Sequence, residues 1–208
     1  MSPDGRSLRA QAQRAQRRNQ VLAAALRVFS ERGFHGASVS QIVETAGVAR
    51  GTFYQYFANK KAIFLELLDN LLAELRGSVQ GVDPTANTPI PEQLVAAIAR
   101  IFAVVLANRS LTQIVFREAV GLDADVDAKL RLFDEGLAQY IRAALALGQR
   151  TGLVRELDRE VAATCVVGTL RYIAQRSLVE DEHPDVHQLA SEVVAFNLRG
   201  VLNEKKRG

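Results

Sequence analysis

The residues from Ser38 to Lys61, SVSQIVETAGVARGTFYQYFANKK, constrain this chain more than any other stretch. Val39, Ile42, Val43 and Ala46 recur at i, i+3, i+4 and i+7, which predicts a helix of about two turns with one apolar stripe. Ser38 stands where a side chain caps a helix start, and Gly47 follows the last stripe residue, where a left-handed turn excludes a β-carbon. A second helix restarts near Arg50. At about 100° per residue, turning Phe53 and Phe57 inward leaves an outer face centred on Gln55, with Gly51 and Thr52 beside it and Tyr54 and Tyr56 on its flanks. Arg50 lies at one end of that face, and Lys60 and Lys61 at the other. A slim polar centre with donors on its shoulders suits a helix that enters the major groove and is held by phosphates. The spacing predicts a helix-turn-helix, although a plain helical hairpin joined by glycine has the same periodicity.

Charge separates the two readings. Residues 1 to 61 hold ten Lys and Arg against Asp4, Glu31 and Glu44, a net +7, whereas the remaining 147 residues are net −4. A basic end beside an outward polar helix favours a polyanionic partner.

Phe29, Gly33, Phe34, Gly36, Ser38, Val39, Ile42, the run AGVARGTFYQYFANK and Phe64 stand at fixed spacing over residues 17 to 66. In this pattern the chain resembles the TetR family of transcriptional regulators. The resemblance implies an all-helical homodimeric repressor that binds a palindromic double-stranded operator and leaves it when a small molecule occupies the second domain. It implies contacts at a helix start from Ser38, Ser40 and Gln41, base reading by Arg50, Gly51, Thr52 and Gln55, and phosphate contacts from Tyr54, Tyr56 and Lys60. Lys61 departs from the pattern, since the family often carries an acid there.

Hydrophobic residues make up 48% of the 208 and charged residues 24%, an ordinary soluble globular balance. The charge-free apolar run Val161 to Leu170 falls far short of the roughly 20 residues of a membrane span, so no transmembrane helix and no membrane partner is expected. The N-terminal arginines have no apolar segment behind them and so do not form a secretory signal. The lone Cys165 cannot form an intrachain disulfide, which fits a reducing cytoplasm.

In chain order, residues 1 to about 14 are expected to be a mobile basic arm, either solubilising or lying against DNA. A helix from Asn19 to Arg32 braces the helix-turn-helix and ends at Gly33 and Gly36. After Asn59 as N-cap, a long helix runs to about Gly77 and links the two domains, placed at 1–62 and 63–208. The loop 77–91 carries two glycines and three prolines. Helical periods then return from Leu94 to Leu106, from Leu111 to Ala119, from Val126 to about Gly152, from Asp158 to Val179, and from Pro184 to Val201. The expected fold is all-α, about nine helices, with no sheet: a three-helix DNA-binding domain and a helical bundle for ligand binding and dimerisation.

The helix from Asp158 to Val179 is apolar on two faces, one of them Val161, Cys165, Gly168 and Tyr172, and must be covered on both. With the final helix it is expected to pair with its copy in a dimer. Phe102, Phe116, Phe133, Tyr140 and Tyr172 are distributed over four helices, as core or as the lining of a ligand cavity. Leu170, Arg171 and Arg176 complete the candidate pocket. The two arginines lie in a mostly apolar helix and need partners, from Glu118, Asp134 or Glu135 or from an anionic ligand.

His183 and His187 flank Pro184 and need not share a face, so a metal site is not expected, and no cofactor is predicted beyond a small-molecule effector. Cys165 reads as a packing residue. No phosphate-cradling glycine loop, nucleophile elbow or zinc-protease motif is present, and catalysis finds no support. The rival reading is a helical small-molecule-binding or protein-interaction module without a DNA role.

Overall fold

The computed structural model describes residues 5–79, 81–179 and 185–201, with side chains from Ser7 onward. Among these residues there are nine α-helices, one π-helical turn and no strand. By internal packing the chain forms two compact units. The first comprises Met1–Leu71 with Ser110–Val120, and the second Leu72–Arg109 with Gly121–Gly208.

The first unit opens with α1 (Gly5–Gly36), which is broken at Gly33, where φ is 70° and ψ 169°. The expected mobile arm is instead helical from Gly5 onward. Its residues explain this: RSLRAQAQRAQRRNQ contains strong helix formers and no β-branched, glycine or proline interruption, and it continues a helix already held by packing. Pro3 and the side chain of Arg6 lie outside the described residues.

α2 (Val39–Ala46) starts at the Ser38 cap and stops at Gly47, whose φ of 62° is left-handed. α3 (Arg50–Tyr56) buries Phe53, and its C-cap Phe57 is buried as well. α4 (Lys60–Ser78) is capped by Asn59, whose Oδ1 accepts from the Ala62 amide at 2.9 Å. Phe29, Phe34 and Phe64 meet at ring-centroid distances of 5.2 to 6.0 Å and form the aromatic heart of this unit. Burying each such ring contributes about 1.5–3 kcal/mol.

α6 (Arg109–Ile114) runs on into a π-helical turn, Val115–Ala119, where one continuous short α-helix was expected. This turn carries Glu118 to the break in α1. Glu118 Oε2 accepts from the Phe34 amide at 2.7 Å, and a β-carbon on Gly33 would lie 2.5 Å from Glu118 Oε1.

In the second unit α5 (Ile90–Ala107) packs along α9 (Val186–Val201), and α7 (Ala124–Arg150) along α8 (Arg159–Ser177), with α8 also touching α9 and α5. Asp123, Asp158 and Asp185 cap α7, α8 and α9 with their carboxylates. Pro184, expected at the start of the last helix, lies outside the described residues together with His183 and the acids 180–182.

α5 bears only weakly on the membrane expectation, because a single apolar helix of this kind also occurs in soluble proteins. It is long and apolar enough to cross a membrane by length and composition, a property hidden because Glu92 and Arg100 interrupt its apolar run. Only 11% of that window is buried, so most of its apolar surface is left partly open.

Candidate nucleic-acid interface and effector pocket

The outer face of α3 is arranged as its phase demands. Arg50, Gly51, Tyr54 and Gln55 are exposed, Thr52 and Tyr56 are half-buried, and Phe53 and Phe57 seat the helix from behind. No atom beyond its own helix lies within 4 Å of where a Gly51 β-carbon would be, so this point of the face is slim and open. The Arg50 guanidinium sits 6.0 Å from the Tyr54 ring centroid, within the range of a cation–π contact.

At the start of α2, Ser38 and Gln41 form a reciprocal cap. The Ser38 amide donates to Gln41 Oε1 at 2.9 Å, and the Gln41 amide donates to Ser38 Oγ at 3.3 Å. Both side chains therefore hold the helix end, while Ser40 is exposed beside them. Lys60, for which the resemblance implied a phosphate contact, is half-buried at the start of α4. Its ammonium donates to the carbonyls of Phe34 (2.8 Å), His35 (3.2 Å) and Ala37 (2.9 Å) and lies 4.7 Å from the Phe34 ring centroid. Three donors meet three acceptors, and the loop 34–37 is fixed behind the interface.

The N-terminal part of α1 is joined to the same elements. Gln20 Nε2 donates to the Ala46 carbonyl at 2.7 Å, and Arg18 pairs with Glu66 while its guanidinium stands 5.2 Å from the Phe57 ring centroid.

The second unit does not gather the predicted aromatic set into one site. Phe133 and Tyr140 line a cavity of about 230 Å³ with Arg76, Val79, Leu132, Gly136 and Leu137. Phe102 and Leu170 are buried elsewhere, Phe116 belongs to the π-helical turn of the first unit, and Tyr172 is 65% exposed. Arg76, which the sequence did not single out, approaches the Phe133 ring at 5.9 Å. Its place in the last turn of α4 was the available signal.

Arg171 and Arg176 are exposed rather than buried, because α8 turns that edge outward. Arg171 pairs with Asp134 at 2.7 Å, one of the partners expected. Partial burial pushes the Asp134 carboxyl above its ordinary value, and Arg171 offsets this only in part. Because the folded chain then holds that proton at a higher pH than the unfolded chain does, protonation of Asp134 as pH falls favours the folded state. Arg142 bridges Glu135 and Glu160 (2.9 Å to the latter) in a wide groove of about 610 Å³ between α7 and α8.

Cys165 is exposed, not packed. It shares the open face of α8 with Val161 (59% exposed) and Tyr172, and on α9 Phe196 is 74% exposed. Among the described residues no group of His, Cys, Asp and Glu is placed to hold a metal ion.

Residues 21–67 match the family model of bacterial regulatory proteins of the tetR family, and residues 87–175 match a tetracyclin repressor-like C-terminal domain. An HTH-type transcriptional regulator of Bacillus subtilis, YdgC, is 33% identical over 189 residues, covering 89% of this chain and 92% of its own. The chain belongs to the TetR family. Among solved structures similar to this TetR regulator are the fatty acid degradation regulator FadR from Bacillus halodurans and FadR from Bacillus subtilis in complex with stearoyl-CoA. The first is 28% identical with a TM-score of 0.69, covering 88% of this chain and 95% of its own. The second is 26% identical with a TM-score of 0.67, covering 87% and 97%. The protein is a ligand-responsive DNA-binding regulator and not an enzyme, and a helical module without a DNA role is not favoured.

Proposed function

We propose that this TetR regulator is a homodimeric repressor that reads a palindromic operator with α3 and releases it on binding a long-chain acyl thioester. The outward face of α3 carries the DNA reading. Arg50, Gly51, Thr52 and Gln55 face base edges, Tyr54 and Tyr56 hold the strands beside them, and Ser38, Ser40 and Gln41 bring the start of α2 to a phosphate. Lys60 supports that face from behind through its three carbonyl bonds. Two copies of α3 then occupy successive major-groove turns, about 34 Å apart.

Four large apolar side chains of the last two helices and the residue after α8, Val161, Tyr172, Val179 and Phe196, are left exposed, which supports a second copy of the chain as their cover. The small residues Cys165 and Gly168 permit two helices to approach closely.

The effector class is supported by α5 and by the cavity. Leu94, Val95, Ile98 and Ile101 are only half-buried on an almost wholly apolar helix, which suits an extended hydrocarbon chain. Tyr140, Phe133 and exposed Arg76 line the cavity of about 230 Å³ in the same unit and offer an apolar wall with one cation for an anionic head. The stearoyl-CoA held by the FadR relative has this chemistry.

The test is operator binding by fluorescence anisotropy with stearoyl-CoA, coenzyme A or no addition. Stearoyl-CoA is expected to weaken binding about 5–150-fold, the usual range of allosteric coupling, and coenzyme A to have no effect. Intact operator binding that saturating stearoyl-CoA leaves unchanged would exclude this effector class.

A further inference from the structure

No acid occurs from Gly5 to Ser30, a stretch that carries six arginines. In the structure this basic stretch is not an arm but the projecting end of a rigid helix. Every side chain from Ser7 to Gln20 is exposed. At 1.5 Å per residue the free part from Ser7 to Arg17 spans about 15 Å.

Its direction is fixed at the domain edge by two contacts with the helix-turn-helix: Gln20 with the last carbonyl of α2, and Arg18 with Phe57 at the end of α3. Arg14 and Arg17 stand seven and four residues before Val21, so they continue the stripe that buries Val21, Ala25 and Val28, but beyond the point where the domain has anything to bury. With Arg9 they fall on one face about 140° wide, taking 100° per residue. None of the three makes an ion pair among the described residues. Arg14 and Arg17 stand three apart, a spacing at which like charges on a helix repel, and no carboxylate pairs with either among the described residues.

We propose that this projecting end of α1 is a second DNA-binding element, with Arg9, Arg14 and Arg17 gripping phosphates of the duplex just outside the half-site that α3 reads. The proposal rests on the DNA reading of α3. The helical form also decides what the contact is. A helix with its side chains is about 10–12 Å across, too wide for a minor groove of about 6 Å, so this element touches the backbone and adds affinity without sequence choice.

The experiment compares the full chain with its R9Q/R14Q/R17Q variant on two duplexes. One carries a site enriched by the wild-type protein from a random pool, with flanks of one helical turn on each side; the other is the same site trimmed to the palindrome. Gln keeps the helix, which circular dichroism verifies. On the flanked duplex the variant is expected to bind at least tenfold more weakly, and its dependence of log K on log salt to be shallower by about 5, from six phosphates per dimer at about 0.9 each. On the trimmed duplex the two proteins bind alike, and the enriched sequence is the same for both. An unchanged affinity and salt slope on the flanked duplex overturns the proposal, as does an equal loss on both duplexes. Failure of the wild-type protein to enrich any duplex is a different result, which removes the DNA reading of α3 itself.

Discussion

Gly33 shows how much one residue can be asked to do. Its φ of 70° with ψ of 169° belongs to a region that residues with a β-carbon avoid at a cost of about 1–3 kcal/mol. Glu118 also occupies the space that a β-carbon would need. Gly33→Ala is therefore expected to lower stability by at least that amount, read as a lower midpoint in urea unfolding; a midpoint equal to wild type would show that the break in α1 relaxes freely. The glycine was legible in the sequence as a helix end, but its carboxylate neighbour was not, because the two are 85 residues apart and nothing local marks them as a pair. Lys60 makes the same point from the other side. A cation beside a polar face reads as a phosphate ligand, and nothing in the sequence signals that the carbonyls of Phe34, His35 and Ala37 also lie within reach of its ammonium.

At the scale of helices, α2 and α3 were legible nearly residue by residue. Their stripes, the Ser38 cap and the left-handed Gly47 are local signals, and burial of Phe53 and Phe57 settles the rest of the phase. Two elements were not legible. The projecting part of α1 buries nothing and so has no hydrophobic period to read, only helix-forming residues. The turn at Val115–Ala119 has an ordinary helical sequence, and its wider winding answers to Glu118 meeting Phe34 across the unit. The candidate pocket was legible least of all, since burial alone does not say which of several aromatic side chains share a wall. The α3 reading has its own consequence: Thr52→Ala and Gln55→Ala should each reduce discrimination between the operator and single-base variants by about 1–3 kcal/mol at the bases they face. Competition binding against a set of operator variants measures this, and a loss spread evenly over every variant would assign those residues to the backbone instead.

For the whole molecule, the proposed pairing through the apolar residues exposed on α8 and α9 has a consequence for function: both half-sites would be held only by a dimer. Phe196→Glu places a charge on a side chain already 74% exposed in the single chain, so the subunit should still fold. Sedimentation should then report a monomer, and operator affinity should fall by about 10²–10⁴, the avidity that two linked half-sites supply. A variant that sediments as a dimer would move the interface elsewhere. Finally, the recruitment of Ser110–Val120 into the first unit bears on how such regulators can be recombined. A chimera that grafts the N-terminal 71 residues onto another sensor would leave Glu118 behind and the amide of Phe34 without its acceptor. The portable module is discontinuous, and an engineer wishing to transplant its specificity must carry the eleven-residue piece from downstream along with it.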